Sequence, residues 1–245
     1  MLREQIGDVE ILRGACLEWM AVLKEEGVQV DAVITDPPYG IDVDENNPFS
    51  YASTGAKKEN PVEWDASIPL DWIEPALAIL HDGGNLLAFT DTRQVSDLWR
   101  YLEKVAKAQR LFYWIKNNPV PQPHPRWANA VEVAAYARKH GKAQFWGGGG
   151  ASPNWFQSGI ASGSDRTEHP TQKNLYLMRK LIRDLCPEDG TVLDPFGGSG
   201  TTAVAALLEG RRCITIERDE KYFQIMRKRV SSWYDSDEVR QMELI

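Results

Sequence analysis

Three cysteines in 245 residues, Cys16, Cys186 and Cys213, are too few and too scattered for a disulfide framework, and no Cys-x-x-Cys pair offers half of a zinc site. Reduced thiols, a cytoplasmic chain and no metal are expected. No run of eighteen uncharged apolar residues occurs, so no helical membrane span is expected. The first residues, Met1-Leu2-Arg3-Glu4-Gln5, lack the apolar core of a secretory leader. An excess of positive charge is lacking too. The formal net charge is -7, which taken alone argues against a nucleic-acid partner. The distribution qualifies that exclusion. Nine Lys/Arg face two acids over residues 100–142, with aromatic residues between them, whereas residues 42–71 are acidic. A local basic stretch can meet a phosphate backbone even on an acidic protein. A solvated helix face with ordinary loops has the same composition.

What is present is alternation. Residues 9–12, 31–35, 85–90, 111–115, 131–137, 191–194 and 212–216 are short apolar or β-branched runs that read as strands. Between them, residues 16–26, 69–81, 92–109, 172–186, 201–209 and 220–233 repeat their apolar positions every three or four residues, as helices do. Gly83-Gly84 is expected to stop the second helix. Such alternation predicts an α/β fold with a mostly parallel sheet and helices on both faces. Apolar residues make up 42 %, enough for the core of one large domain. Three stretches break the rhythm. Residues 42–65 are polar and aperiodic, and read as a lid. Residues 116–127 carry alternating prolines and must be extended. Residues 141–166 hold Gly147 to Gly150 but also Trp146, Trp155 and Phe156, which fits a contact surface better than a plain linker.

Two corners carry chemistry. In the first, strand 31–35 runs into Asp36-Pro37-Pro38-Tyr39-Gly40. Proline fixes φ and donates no hydrogen bond, so a carboxylate, outward carbonyls and an aromatic ring share one stiff turn. That set suits a planar base bearing an amino group. An ordinary strand-ending turn with an incidental Asp accounts for the hexapeptide from Thr35 to Gly40 equally well on its own. In the second, Asp194-Pro195-Phe196-Gly197-Gly198-Ser199-Gly200-Thr201-Thr202 reads as strand, glycine turn and helix, and Glu217 ends the next strand twenty residues after Gly197. A helix N-terminus behind a glycine turn takes an anionic group, and an acid at that later strand end can accept from ribose hydroxyls. The glycine spacing is not Gly-x-Gly-x-x-Gly, which disfavours a dinucleotide and a dehydrogenase. S-adenosylmethionine, with a carboxylate in place of a pyrophosphate, is favoured.

Asp36-Pro37-Pro38-Tyr39, then His169-Pro170-Thr171-Gln172-Lys173, then the glycine turn resemble, in order and spacing, the amino-group DNA methyltransferases of the β group. The stretches at 114–119 and 129–132 resemble the catalytic-half loops of that family. The resemblance covers nearly the whole chain. It implies a Rossmann-like S-adenosylmethionine-dependent methyltransferase fold, with a mostly parallel seven-stranded sheet, one antiparallel strand and circularly permuted motif order. It implies a single domain over 1–245: a catalytic half at about 9–140, a short target-recognition insert at about 141–168, and a cofactor half at about 169–233. By the same resemblance, Asp36 and Pro37 hold the target amino group beside Pro38, and Tyr39 stacks on a flipped base. Asp36 also borders the cofactor. Asp194, Phe196, Gly197, Gly198, Ser199, Gly200 and Thr201 cradle the S-adenosylmethionine, Glu217 binds its ribose, and His169, Thr171, Gln172 and Lys173 close the site. The expected partner is double-stranded DNA, with two subunits able to pair across a recognition region this short. Asn174 stands where the family usually has Pro. Asp rather than Ser before Pro-Pro-Tyr favours adenine N6 over cytosine N4. An RNA or protein amide methyltransferase would more often place the glycine turn first. A module that binds DNA without transferring a methyl group has no need of Asp36, Tyr39 and Lys173 together.

Overall fold

Val30–Thr35 (β3) is buried at five of its six positions, and Thr191–Asp194 (β8) at all four. Strands apolar on both faces belong at the centre of a parallel sheet with helices above and below, and these two lie side by side. The computed structural model describes residues 1–38, 70–121, 127–147, 152–161, 163, 166–169, 171–236 and 239. Around the central pair the chain adds β1 (Leu2–Ile6), β2 (Val9–Arg13), α1 (Cys16–Glu25), a 3-10 turn (Leu70–Trp72), α2 (Ile73–Ile79), β4 (Leu80–Thr90), α3 (Val95–Val105), β5 (Lys107–Lys116), β6 (Val131–Arg138), β7 (Trp155–Ser158), α4 (Leu175–Leu185), α5 (Thr201–Leu208), β9 (Arg212–Glu217) and α6 (Glu220–Tyr234). The order across the sheet is β1-β2-β9-β8-β3-β4-β6-β5-β7. β1 and β6 run antiparallel to their neighbours, and the remaining pairings are parallel.

The expected α/β fold with a mostly parallel sheet is present, but the described sheet has nine strands where seven were expected. The seven are β2-β9-β8-β3-β4-β6-β5, with β6 antiparallel. β1 is added through a tight turn in which Gly7 takes φ +54°. It is an edge strand of mostly exposed residues, so no apolar run marks it. β7 lies in the glycine-rich insert and pairs with the outer edge of β5, where Trp114 Nε1 also donates to Ser158 Oγ at 2.8 Å. Gly83 and Gly84 do not stop a helix. They lie inside β4, where the pairing with β3 jumps from Val30–Leu80 to Ala32–Asn85. Gly83 takes φ +79°, and a Cβ there would sit 1.9 Å from the Lys142 carbonyl oxygen, so no side chain fits. The third expected helix stops at Val105, and residues 107–109 are strand. The expected lid at 42–65 lies outside the described residues, as do 122–126 of the proline segment and 148–151 of the insert.

Each face of the sheet has its own core. α4, α5 and α6 cover one, with Leu177, Ile182, Val204, Phe223 and Met226 fully buried, and α1, α2 and α3 cover the other around Met20, Leu23, Trp72 and Leu102. Burying each such side chain contributes about 1.5–3 kcal/mol. At the start of α4, Asn174 does what proline cannot: its Oδ1 accepts from Leu177 N at 3.1 Å, and its Nδ2 donates to Gly159 O at 2.9 Å. It caps the helix and ties it to the insert. Asn174→Ala is expected to lower stability by about 1 kcal/mol or slightly more, read as a lower urea midpoint at unchanged slope. An unchanged midpoint would show that the cap carries no load. Among the described residues no helix is long and apolar enough to cross a membrane, and no cluster of His, Cys, Asp and Glu could hold a metal ion.

Candidate active site

From β3 the chain proceeds to β4 on one side, and from β8 to β9 on the other, so the sheet order reverses between β3 and β8. Ligands of open α/β sheets settle in the crevice at the carboxyl ends of such a pair. Both sequence corners are there. Asp36 follows the last residue of β3, and Asp194 is the last residue of β8. They are bonded through a neighbour: Thr35 Oγ1 donates to Asp194 Oδ1 at 2.6 Å. Phe196 N donates to the same oxygen at 3.1 Å. Burial pushes the Asp194 carboxyl up to about 6 against hydrogen bonds from Thr202, Thr35 and Phe196, and the nearby Asp36 charge adds to the rise.

Lys173 reaches in from the segment before α4. Its Nζ lies 2.6 Å from Asp36 Oδ2 and 2.9 Å from Glu132 Oε2, and 4.9 Å from the centre of the Phe89 ring. Lys116 Nζ lies 2.7 Å from Glu132 Oε1. Glu132 Oε2 is buried against the Lys173 ammonium group. Burial alone would raise the Glu132 carboxyl, but Lys173 and Lys116 outweigh it and hold it below the usual carboxylate range. Gln172, also buried, accepts from Thr167 N and Thr167 Oγ1, both at 2.8 Å, and so folds the segment that leads to Lys173.

On the other side of the crevice the glycine turn is held tightly. Gly197 N donates to Ile216 O at 2.7 Å, and a Cβ on Gly197 would fall 2.3 Å from Thr215 Oγ1 and 2.8 Å from Met226 Sδ. The turn therefore packs directly on β9 and α6. Gly200 caps α5 in the left-handed region at φ +76°. Ser199 and Thr201 are each 5 % exposed. Their hydroxyls lie 3.0 Å apart, and Arg229 of α6 donates to Thr201 Oγ1 at 2.9 Å and to Ser199 O at 3.0 Å. The two side chains thus brace the turn from within. Glu217 ends β9 with Oε2 accepting from Gly198 N and Oε1 from Asp219 N, both at 2.8 Å. Burial raises its carboxyl, and these two bonds pull the other way. His169 stacks at a tilt on Tyr222, ring centres 4.5 Å apart. Burial first, then the charges of Lys173, Arg166 and Arg229, lower it to about 4, so its ring is neutral at pH 7.

Most expected site residues therefore converge. Phe196 packs edge-on against Trp72 at 5.6 Å, toward the core opposite α4. Pro37 is buried, Pro38 and Thr171 are half-buried. Tyr39 lies outside the described residues. Lys116 and Glu132 lie in the stretches that resemble the family's catalytic-half loops, without a role assigned there, Thr35 ends the strand that delivers Asp36, and Arg229 is the contributor that no sequence signal marked. The basic stretch at 100–142 is partly spent internally, since Lys116 pairs with Glu132 and Lys139 with Asp82.

A sequence model of the DNA methylase family matches residues 30–228. The type II methyltransferase M2.MboI of Moraxella bovis is 28 % identical, over 89 % of this chain and 86 % of its own. The type II methyltransferase M.HinfI of Haemophilus influenzae is also 28 % identical, over 94 % of this chain and 71 % of its own. The crystal structure of the M1.HpyAVI–SAM complex matches with a TM-score of 0.72 and 30 % identity, over 91 % of this chain and 98 % of that one. With a match over most of its length, and with the two motif corners joined at the sheet's switch point, the chain belongs to the DNA methylase family of N6/N4 amino-group methyltransferases.

Proposed function

We propose that the protein transfers a methyl group from S-adenosylmethionine to the exocyclic N6 of an adenine flipped out of double-stranded DNA. The observation that carries this reading is the bond between the two corners: Asp36 sits beside Thr35, whose hydroxyl holds Asp194 of the glycine-turn strand at 2.6 Å. An acceptor for an amino group and a nucleoside-cofactor cradle are thereby fixed in one crevice.

The donor set fits the cofactor. Backbone N–H groups at the start of α5 suit a carboxylate. Glu217 keeps lone pairs for two ribose hydroxyls after accepting one N–H on each oxygen. Asp194, Gly197, Gly198, Ser199, Gly200 and Thr201 shape the cradle, with Phe196, neutral His169, Thr171, Gln172 and Lys173 at its margin. When bound, S-adenosylmethionine supplies an electrophilic methyl group on a positive sulfonium. The remaining task falls to the chain. An exocyclic amine is a poor nucleophile because its lone pair is delocalised into the ring. The Asp36 carboxylate and the Pro37 carbonyl each accept one of its N–H bonds, which favours a tetrahedral nitrogen with a localised lone pair. Asp36 also stabilises the positive charge that develops on the amine. Pro38 stiffens the turn, and Tyr39 replaces the stacking that the flipped base loses. None of this requires a covalent nucleophile.

Residues 9–140 act as the catalytic half, 141–168 as a short recognition insert and 169–233 as the cofactor half, on DNA in the cytoplasm. An insert of this size suits a short target site or pairing of two subunits. Cytosine N4 is the alternative acceptor, and Asp36 in place of Ser favours adenine. Tritium transferred from labelled S-adenosylmethionine to unmethylated plasmid DNA, followed by nucleoside analysis, is expected to appear in N6-methyladenine. Label in N4-methylcytosine would overturn the choice of base while keeping the reaction, and no label in DNA would overturn the reading itself.

A further inference from the structure

Alternation along four strands puts four chemistry-bearing positions on one face of the sheet. Ile34, Phe89, Trp114 and Ala134 all belong to the core beneath α4. Two residues beyond Ile34 comes Asp36, two beyond Trp114 comes Lys116, and two before Ala134 comes Glu132. In the sheet order β3-β4-β6-β5 these line up as Asp36, Phe89, Glu132 and Lys116. Phe89 offers no charge, and Lys173 spans that gap over its ring, 4.9 Å from the centre. The outcome is a string of alternating charges, Asp36–Lys173–Glu132–Lys116, with contacts of 2.6, 2.9 and 2.7 Å, ending at the carboxylate that faces the amine. Lys173 is only 6 % exposed.

A lysine that served Asp36 alone would draw that carboxylate's charge fully to itself, and the target amine would meet a weakened acceptor. Here Glu132 claims part of the same ammonium group, and Lys116 satisfies Glu132. The four formal charges cancel, so the string adds no net charge where a cationic cofactor must settle. With Lys173 buried and its three partners only partly exposed, the string holds fixed geometry, because a broken contact leaves a poorly solvated charge without its counter-ion. We propose that Glu132 and Lys116 are positioning residues for methyl transfer: Glu132 shares Lys173 with Asp36, and Lys116 fixes Glu132, so that Asp36 keeps one rotamer and its strength as acceptor. The proposal rests on Asp36 being the amine acceptor. Neither Glu132 nor Lys116 touches the reacting atoms.

The test uses the full chain with duplex DNA and tritiated S-adenosylmethionine. Single-turnover rate and cofactor affinity are measured separately for Glu132→Gln, Lys116→Met, Lys116→Arg and Asp36→Ala. Glu132→Gln is expected to slow single turnover by about 30-fold and Lys116→Met by about tenfold, the scale of one lost charge-assisted bond. Lys116→Arg, which keeps the donor, is expected to stay within about threefold of wild type, and cofactor affinity within about threefold in all three. Unchanged rates in Glu132→Gln and Lys116→Met would overturn the proposal. So would a loss confined to cofactor affinity, or a Lys116→Met defect that Lys116→Arg does not recover. If Glu132→Gln fails to fold, the two Lys116 variants decide alone. Asp36→Ala separates the two levels. Activity retained there would sink the reading of the site, whereas an inactive Asp36→Ala beside an undisturbed Glu132→Gln would sink the charge string alone.

Discussion

Asp36→Ala is expected to reduce single-turnover methylation by at least about 10³-fold while S-adenosylmethionine still binds within about fivefold. The split follows from what the side chain touches. Its Oδ2 is held by Lys173 at 2.6 Å, and its backbone continues from β3, whose Thr35 hydroxyl secures Asp194 without help from the Asp36 side chain. Removing the carboxylate therefore leaves the bonds of the glycine turn and Glu217 in place. It does remove the carboxylate proposed to localise the amine lone pair and to meet the charge the amine acquires. Losing a single preorganised electrostatic partner of a transition state costs about 10²–10³ in rate, and the amine also loses its ground-state hydrogen bond. Asp36→Asn keeps an acceptor oxygen without the charge, and is expected to fall between Asp36→Ala and wild type. The folded state should tolerate the change, because Lys173 keeps Glu132 as a partner at 2.9 Å. Turnover within tenfold of wild type in Asp36→Ala would mean that another group activates the amine.

How much of this could be read from the sequence depends on how local each cause is. β3, β8 and β9 announce themselves as apolar runs, and α4 by Leu175, Met178, Leu181, Ile182 and Leu185, all of which are buried. The glycine turn was legible because glycine spacing, a helix start and a later acid all fall within one short stretch. What escaped detection depends on pairing between distant segments. β1 carries almost no apolar signal because it lies at an edge. The entry to β4 looked like a helix stop because two glycines usually punctuate; here they accommodate the close approach of residues 140–142. Glu132 and Lys116 fall in stretches that resemble the family's catalytic-half loops, but the resemblance gives neither a partner nor a role. Their meaning comes from β6 inserting between β4 and β5, out of chain order, which brings Glu132 over to Lys173. Ser199 and Thr201 also depend on a distant segment: Arg229, 28 residues beyond Thr201, holds the Thr201 hydroxyl and the Ser199 carbonyl, a contact that no local pattern announces.

Glu217→Ala is expected to weaken S-adenosylmethionine binding by at least roughly 100-fold, measured by equilibrium dialysis, with little loss of fold stability. A carboxylate that accepts two hydroxyl hydrogen bonds contributes about 1.5–3 kcal/mol for each, and 1.4 kcal/mol corresponds to about tenfold in affinity. Burial raises the Glu217 carboxyl above its usual range, so the ionised form is penalised in the folded protein as pH rises past the ordinary carboxylate value. Replacing it at neutral pH removes that penalty while giving up the bonds to Gly198 N and Asp219 N, and the two effects oppose each other. Gly198→Val attacks the same contact from the backbone. Gly198 sits at φ +51°, and a Cβ there would lie 3.1 Å from His169 Nε2. A β-branched residue is strained in that region, so the turn must shift and withdraw its N–H from Glu217. Gly198→Val should therefore lose affinity at least as strongly as Glu217→Ala. Combining the two should cost less than the sum, because both break one interaction. Full additivity would show that Gly198 and Glu217 serve the cofactor separately, and undiminished binding in either single variant would move the ribose site away from the end of β9.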